Sequence, residues 1–278
     1  MDLNGRTALV TGAGRGLGWG VANAFARAGA RVCATDVDPA GVDRAVGDIR
    51  AAGGEALGSP LDVADPIAFR GVVDEVVTRW GRVDVLVHCA IYMPLVRFES
   101  LGDDEWRRQL DVGLGGFYNG VRAVWEPMVA QGGGHLMGVA SGSSVRGYVD
   151  EVAYCTVKHA QEGFVKALSL EAQERGIGVN TIGPGAPIKT TRLTWEELEA
   201  LPQEVKRDWA DPVELGRAFV WLASQPPTLF TGLRFDAARI VETLDREGEG
   251  FAFAAEKVTV YPEDLRARMA WREEQGRG

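Results

Sequence analysis

The sequence has little cysteine and shows no stretch that is typical of a signal peptide or a membrane span. Its three cysteines, Cys33, Cys89 and Cys155, are odd in number and widely spaced, without a C-x-x-C pair. This argues against a disulfide framework and a zinc ribbon, and no metal site is predicted. The start, MDLNGRTALV, has no charged region followed by a long apolar run, and no stretch approaches about 18 uncharged apolar residues. We therefore expect a reduced, cytoplasmic protein without a signal peptide or membrane span.

The chain also lacks an excess of positive charge. Lys plus Arg is 30 and Asp plus Glu is 39, which gives a net charge of −9 and a pI near 5.0. That balance excludes a general nucleic-acid binder and a basic membrane-surface protein. The 36 glycines show no G-X-Y period, which excludes collagen. With 25% charged and 46% apolar residues, the composition is that of a folded globular protein.

Short apolar runs alternate with amphipathic stretches along most of the chain. The apolar runs predict buried strands at Thr7–Thr11, Arg31–Thr35, Val83–His88, His135–Ala140 and Gly178–Ile182. The amphipathic stretches predict helices at Gly16–Ala28, Ala40–Ala52, Ile67–Trp80, Asp103–Asp111, Gly116–Ala130 and Ala153–Arg175. Strand–helix–strand alternation predicts an α/β fold, a doubly wound parallel sheet with helices on both faces.

The chain shows no internal repeat and no linker, so we predict a single domain over residues 1–278. Residues 187–211 lose the strand–helix alternation and predict a lid over a substrate site. Residues 237–278 form a charged C-terminal extension, for which a surface helix with frayed ends is the simplest interpretation.

A glycine-rich turn, TGAGRGLG at 11–18, joins the first predicted strand to the first predicted helix. Glycines let the backbone approach a pyrophosphate, and the helix N-terminus supplies free N–H groups and the positive end of a dipole. The turn therefore predicts a dinucleotide phosphate site. The residues of the turn that we expect at the cofactor are Gly12, Arg15, Gly16, Leu17 and Gly18.

Acidic residues follow the next two strands. Asp36 ends the second strand, where its carboxylate can accept hydrogen bonds from both ribose hydroxyls of an adenosine and repel a 2′-phosphate. Arg15 argues for the opposite preference, because a positively charged side chain in the glycine-rich turn can bind the 2′-phosphate of NADP. NAD is therefore predicted over NADP. Asp62-Val63 closes a third strand that lies before Val83–His88 in the chain. There the acid either contacts the adenine amino group or forms a capping turn before the next helix.

A tyrosine and a lysine share one helix face, in Tyr154-Cys155-Thr156-Val157-Lys158. A nearby cation stabilises a phenolate and lowers the tyrosine pKa, so that the phenol can exchange a proton with a substrate oxygen. Ser141 comes just after a predicted strand, at the edge where open α/β sheets bind ligands. Its hydroxyl is a candidate partner for the reacting oxygen, with Ser143 and Ser144 as competing choices.

Taken together, Thr11–Gly18, Asp36, Asp62-Val63, Ser141, Tyr154-x-x-x-Lys158 and Pro184-Gly185 resemble the short-chain dehydrogenase/reductase family over about residues 3–236. The resemblance implies a Rossmann-like fold with about seven parallel strands, and a homo-oligomer, either a dimer or a tetramer. It also implies hydride transfer between a nicotinamide and a carbinol or carbonyl carbon.

The resemblance also assigns roles to individual residues. It makes Tyr154 the general acid/base, gives Lys158 the role of lowering the tyrosine pKa and binding the nicotinamide ribose, and has Ser141 position the substrate oxygen. Ile188 and Thr190, after Pro184-Gly185, would hold the carboxamide.

Two segments depart from the family pattern. Where the family has Asn-Asn-Ala-Gly, this chain has His88-Cys89-Ala90-Ile91, and only Ala90, a predicted cofactor contact, matches. The adjacent His88 and Cys89 suggest a metal site or a nucleophile, but buried residues at the end of a strand are the favoured interpretation, because successive strand residues face opposite sides of the sheet. Gly113 replaces an asparagine that supports a water and proton relay to the lysine. We expect the backbone carbonyl of Gly113 to hold that water instead.

The sequence therefore predicts an NAD-dependent alcohol dehydrogenase or ketone reductase that acts on a small apolar or aromatic secondary alcohol or its ketone. The aromatic and apolar residues expected to line the substrate pocket are Tyr92, Met93, Phe98, Tyr148, Trp195 and Trp209. Two other interpretations stay open: a non-redox enzyme of the same fold, such as an epimerase, dehydratase or cyclase, and a dinucleotide-binding regulatory protein.

Overall fold

The structure, a computed structural model, describes residues 1–188 and 193–251. Its single sheet has seven strands: β1 (Thr7–Thr11), β2 (Arg31–Asp36), β3 (Ala56–Pro60), β4 (Val85–His88), β5 (Gly134–Val139), β6 (Ile177–Gly183) and β7 (Arg234–Asp236). All pairings are parallel, and the strand order is β3-β2-β1-β4-β5-β6-β7.

Helices connect the strands and cover both faces of the sheet. They are α1 (Gly16–Arg27), α2 (Pro39–Ala51), α3 (Pro66–Trp80), α4 (Asp103–Leu110), α5 (Gly116–Ala130), α6 (Val152–Ala172), α7 (Trp195–Ala200), α8 (Gln203–Lys206), α9 (Pro212–Ser224) and α10 (Ala237–Glu247). A single π-helical turn, Asp111–Gly115, joins α4 to α5. Among the described residues, no helix is long and apolar enough to cross a membrane.

Two hydrophobic cores lie on opposite faces of the sheet. One contains Phe25 of α1 and Trp221 of α9, with apolar residues of α2 and α10. The other contains Phe69 of α3, Phe117 of α5 and Val165 of α6. This arrangement confirms the predicted doubly wound α/β fold, and it follows from strands that are buried on both faces.

The element bounds differ from the predicted ones by one or two residues at most ends, but periodicity missed the strands β3 and β7 and the helices α7, α8 and α9. The helix expected in the C-terminal extension is present as α10. The edge strand β3 contains Gly58, Ser59 and Pro60 and is only partly buried, so it lacks the continuous apolar run of the central strands. Pro60 is tolerated there because an edge strand does not need every backbone N–H. The other missed strand, β7, has only three residues.

The described parts of the predicted lid and extension are anchored to the fold. The backbone N–H of Ala210 donates to the carbonyl of Pro187 at 2.8 Å. This bond joins the two ends of the segment that contains α7 and α8. In the extension, α10 packs on α9 and buries Ile240 and Leu244. Residues 189–192 and 252–278 lie outside the described residues, so the lid stays a prediction.

The strand order positions the site. The chain moves from β1 outward to β2 and β3, and then returns past β1 to continue at β4. Connections on the two sides of this switch point leave in opposite directions, which opens a crevice at the carboxyl ends of β1 and β4. The last residues of these two strands, Thr11 and His88, are paired neighbours in the sheet.

Candidate active site

The glycine-rich turn is packed so closely that side chains would not fit at two of its positions. Gly12 has φ +65°, and a Cβ there would lie 2.7 Å from the backbone nitrogen of Ala90. A Cβ on Gly18 would overlap the carbonyl oxygen of Gly12. The glycines therefore bring the start of α1 against the end of β1, beside the segment that follows β4.

The N-terminus of α1 is open to an anion. Arg15 is the residue before the helix, and its side chain makes no hydrogen bond to the helix N-terminus. The first turn of α1 contains no acidic residue. The N–H groups of this turn have no partner within the helix and point along the positive end of its dipole. Gly16, Leu17 and Gly18 are buried in this turn. The turn fits a dinucleotide pyrophosphate by the geometry of its backbone.

Asp36 is joined to the glycine-rich turn. Its carboxylate accepts hydrogen bonds from the backbone N–H of Gly14 at 3.0 Å and of Asp38 at 3.1 Å. Asp38, and not Asp36, caps α2, by accepting from the N–H of Ala40. Asp36 is therefore not needed as a helix cap, and its carboxylate lines the cleft beside the turn.

The structure brings nearly half of the thirteen predicted cofactor residues to one cleft at the switch point. Six of them line it: Gly12, Arg15, Asp36, Asp62, Val63 and Ala90. Asp62 also accepts from the N–H of Ala64, as a capping turn would require, and forms an ion pair with Arg108 of α4 at 3.0 Å. Ile188 is half-buried against the core that contains α1 and α9, and Thr190 lies outside the described residues.

Ser141 lies on a short turn immediately after β5. Its Oγ accepts from the N–H of Ser143 at 3.2 Å, and its own N–H donates to Oγ of Ser144 at 3.1 Å. The hydroxyl of Ser143 donates to the carboxylate of Glu151 at 2.7 Å. Ser143 is therefore engaged elsewhere, and Ser141 stays the candidate partner of the reacting oxygen. From the other side, the guanidinium of Arg234 on β7 donates to the carbonyl of Ser141 at 2.7 Å.

Tyr154 lies in the first turn of α6 with its phenol beside Ser141. Burial raises the pKa of Tyr154, and the hydrogen bond with Ser141 acts in the opposite direction. Desolvation of the phenol is the largest influence on this pKa. Nζ of Lys158 lies 5.6 Å from the centre of the tyrosine ring, and its role in lowering the tyrosine pKa stays a prediction.

The ammonium of Lys158 is buried one helical turn after Tyr154. It donates to the carbonyl of Val139, the last residue of β5, at 2.6 Å and to Oε1 of Gln161 at 3.1 Å. Burial lowers the pKa of Lys158 to about 8, and the negative charge of Glu162 acts in the opposite direction.

The prediction that the backbone carbonyl of Gly113 binds a water molecule is wrong. Its buried carbonyl oxygen is the partner of two side chains, Nε2 of Gln161 at 2.9 Å and Nε2 of His88 at 3.1 Å. A carbonyl oxygen has two lone pairs, and both are occupied. Sequence reasoning missed this because Gln161 and His88 are 48 and 25 residues away from Gly113.

The asparagine that the family has at position 113 would not fit either. A Cβ on Gly113 would overlap Cγ1 of Val157 and lie 2.9 Å from Cδ1 of Ile91. Ile91 is itself a departure from the family glycine. The two departures are therefore sterically coupled: the larger residue at 91 reaches into the space that the missing side chain at 113 leaves.

The predicted pocket walls fall at different places. Tyr92 lines the nucleotide cleft and donates from its hydroxyl to Glu105. Tyr148 lines a second cleft, formed with Ser141, Pro184 and Gly185. Phe98 is 71% exposed. Met93 and Trp209 are half-buried, and the side chain of Trp195 lies outside what the structure describes.

Comparison with known proteins shows which family the chain is similar to. The family model for short chain dehydrogenases matches residues 6–201. D-threitol dehydrogenase of Mycolicibacterium smegmatis is 32% identical over 83% of this chain and 90% of its own length. A 3-alpha-(or 20-beta)-hydroxysteroid dehydrogenase of Mycobacterium bovis is 35% identical over 84% of this chain and 88% of its own.

Solved structures show the same fold. A putative NAD(P) dependent gluconate 5-dehydrogenase from Beutenbergia cavernae, solved with bound NADP at low occupancy, superposes with a TM-score of 0.74. The two are 32% identical, and the match covers 85% of this chain and 96% of the other. The chain belongs to the short-chain dehydrogenase family, and the predicted resemblance is confirmed. It is an oxidoreductase of the class that interconverts alcohols and ketones with NAD(P).

The packing at Gly113 generates a prediction. Gly113→Ala should destabilise the fold by about 1–3 kcal/mol, because the added methyl group overlaps Val157 in a closed core. Val157→Ala removes the Cγ1 atom that causes the overlap. In the double variant the substitution at 113 should therefore cost less, with a coupling free energy of about 0.5–3 kcal/mol in urea denaturation. Strict additivity of the two substitutions would contradict the steric account.

Proposed function

We propose that this protein oxidises a secondary alcohol to a ketone, or reduces the ketone, with Tyr154 as the general acid/base and NAD as the preferred nucleotide. The observation that carries the proposal is the convergence of the Tyr154 phenol, the Ser141 hydroxyl and the buried Lys158 ammonium. They meet at the carboxyl edge of the sheet, next to a cleft that fits a dinucleotide.

The roles of the residues follow from their contacts. Ser141 is oriented by its own turn and by Arg234, so its hydroxyl can hold a substrate oxygen next to the phenol. Tyr154 takes the hydroxyl proton during oxidation and returns it during reduction. The positive charge of Lys158 favours the phenolate that this exchange needs. A nicotinamide, when bound, accepts or returns the hydride.

The proton must reach solvent by a route other than Gly113. Gln161 and His88 occupy that carbonyl, and a neutral amide does not relay protons at ordinary pH. Tyr154 keeps a small part of its surface exposed to solvent. We infer that the proton leaves through that exposed part.

A substrate with an apolar body is supported by Tyr148 and Phe235, which line the cleft beside Ser141. Arg146, Arg234 and Asp236 line the same cleft and can bind hydroxyl groups of a substrate. The relatives include a D-threitol dehydrogenase and a hydroxysteroid dehydrogenase by name. A homo-oligomer also stays a proposal. It is supported by the family and by exposed apolar residues such as Leu170 on α6.

The non-redox alternative would use the same tyrosine. An epimerase or dehydratase would convert its substrate with no net change in the nucleotide. The relatives reported above are dehydrogenases by name, which favours net redox chemistry.

Tyr154→Phe tests the general acid/base. The variant should fold and bind nucleotide, because only one hydroxyl is removed, and should lose about 10²–10⁴-fold in kcat. Tyr118→Phe is the matched control: Tyr118 is a half-exposed tyrosine of α5 and should keep wild-type kcat. A Tyr154 variant within twofold of wild type would remove the phenol from the mechanism.

Asp36 sets the predicted nucleotide preference. Asp36→Ala removes the carboxylate that would accept from the ribose and repel a 2′-phosphate, so the ratio of kcat/KM for NAD over NADP should fall at least about tenfold. Asp38→Ala is the control: it removes the cap of α2, at a cost of about 1 kcal/mol in stability, and should leave the ratio unchanged. Higher kcat/KM with NADP in wild type would show that Arg15 outweighs Asp36.

A further inference from the structure

Gln161 is a buried polar residue that no step of the mechanism uses. It lies on α6 less than one turn after Lys158 and is 1% exposed. Its Oε1 accepts from Nζ of Lys158 at 3.1 Å, and its Nε2 donates to the carbonyl of Gly113 at 2.9 Å. Both ends of the amide are therefore engaged, and a flipped amide would lose both bonds, so the contacts fix its orientation.

The contacts continue through His88 to the first strand. Because a carbonyl oxygen only accepts, Nε2 of His88 carries the hydrogen that is donated to Gly113. Nδ1 then accepts from the hydroxyl of Thr11 at 3.1 Å, and that hydroxyl accepts from the N–H of Ala90 at 3.2 Å. Burial and the charge of Lys158 lower the pKa of His88 to about 3, so the ring is neutral.

This chain of bonds, which we call the Gln161 network, ties Lys158 to the nucleotide cleft. One end is the ammonium, and the other is Ala90, whose backbone faces Gly12 and which lines the cleft. All its members between these ends have one defined donor and acceptor arrangement. Lys158 thus sits between two fixed acceptors, Gln161 and the Val139 carbonyl at the end of β5.

We propose that Gln161 is a positioning residue of the reaction: its amide holds the Lys158 ammonium, in its charged form, in place beside Tyr154. The inference rests on the proposed function, in which that charge supports the phenolate. A buried ammonium without acceptors loses its proton or leaves the site. Val139 supplies one acceptor from the sheet, and Gln161 supplies the second from the same helix.

Few charged groups compete with Gln161 for control of the amine. From β4 and the segment after it, His88 is neutral, and burial raises the pKa of the Cys89 thiol to about 12. On α6 itself, Tyr154 has a raised pKa. Among the described residues, the other charged group that shifts the pKa of Lys158 is Glu162, which accepts from Thr181 and faces Arg234 at 3.7 Å. The partner at position 161 should therefore govern the titration of Lys158.

Two substitutions at position 161 change the amine in opposite directions. Gln161→Leu removes an acceptor of the ammonium and should lower the pKa of Lys158. Gln161→Glu places a carboxylate there and should raise the pKa by about 1–3. Because the ammonium is lost as pH rises through this pKa, the alkaline limb of the kcat profile should move to lower pH in the first variant and to higher pH in the second.

The test measures Lys158 directly as well as turnover. Lysine labelled with ¹⁵N at Nζ gives five side-chain signals, one for each lysine of the chain, and Lys158→Arg assigns the one of interest. Its pH titration by NMR, in the absence of nucleotide, should show the opposite shifts of the two variants. Val165→Ala, a buried control on the same helix, should lower stability without moving either the titration or the kcat profile.

The outcomes are separable. Opposite shifts in both the NMR titration and the kcat profile support the proposal. A Lys158 titration that stays unchanged in both variants, or kinetic losses that merely follow thermal stability as in Val165→Ala, would overturn it. If no alcohol or ketone is turned over, the proposed function fails, while the NMR titration still decides whether Gln161 governs Lys158.

Discussion

The buried ammonium of Lys158 is the constraint on which the site depends. A charge that is removed from water must be met by hydrogen-bond acceptors, or its free energy cost becomes prohibitive. The acceptors come from two parts of the fold: the Val139 carbonyl at the end of β5 and the amide of Gln161 on α6. Meeting this need fixes α6 against the carboxyl edge of the sheet, and with it the position of Tyr154.

The departures from the family pattern form one structural unit. Gly113 has no side chain, Ile91 fills part of the space that this leaves, and Val157 closes the rest. The freed carbonyl of Gly113 binds Gln161 and His88, where a water was expected. It lies in a π-helical turn, and such turns are frequent at functional sites. Considered singly, each substitution suggests a weakened enzyme, but together they replace one buried polar network with another.

The sequence predicted the fold class and most of the cleft because these depend on local patterns. The glycine-rich turn, Asp36 and the Tyr154–Lys158 spacing each lie within a few residues, so periodicity and turn chemistry identify them. Strand β3 has no continuous apolar run and strand β7 has only three residues, so hydrophobic periodicity could not identify either of them. The Gln161 network joins residues from β1, β4, the α4–α5 junction and α6. No spacing rule connects such distant positions, and burial of their polar groups appears only in the folded chain.

The central claim is that a hydride passes between substrate carbon and nicotinamide. The most direct measurement incubates the enzyme and NAD with secondary alcohols deuterated at the carbinol carbon, a 3α-hydroxysteroid and D-threitol among them, and analyses both products by mass spectrometry. The account predicts one deuterium in the reduced nicotinamide for each ketone formed. Substrate conversion with no ketone and no deuterium in the nucleotide would contradict it and identify a non-redox member of the fold.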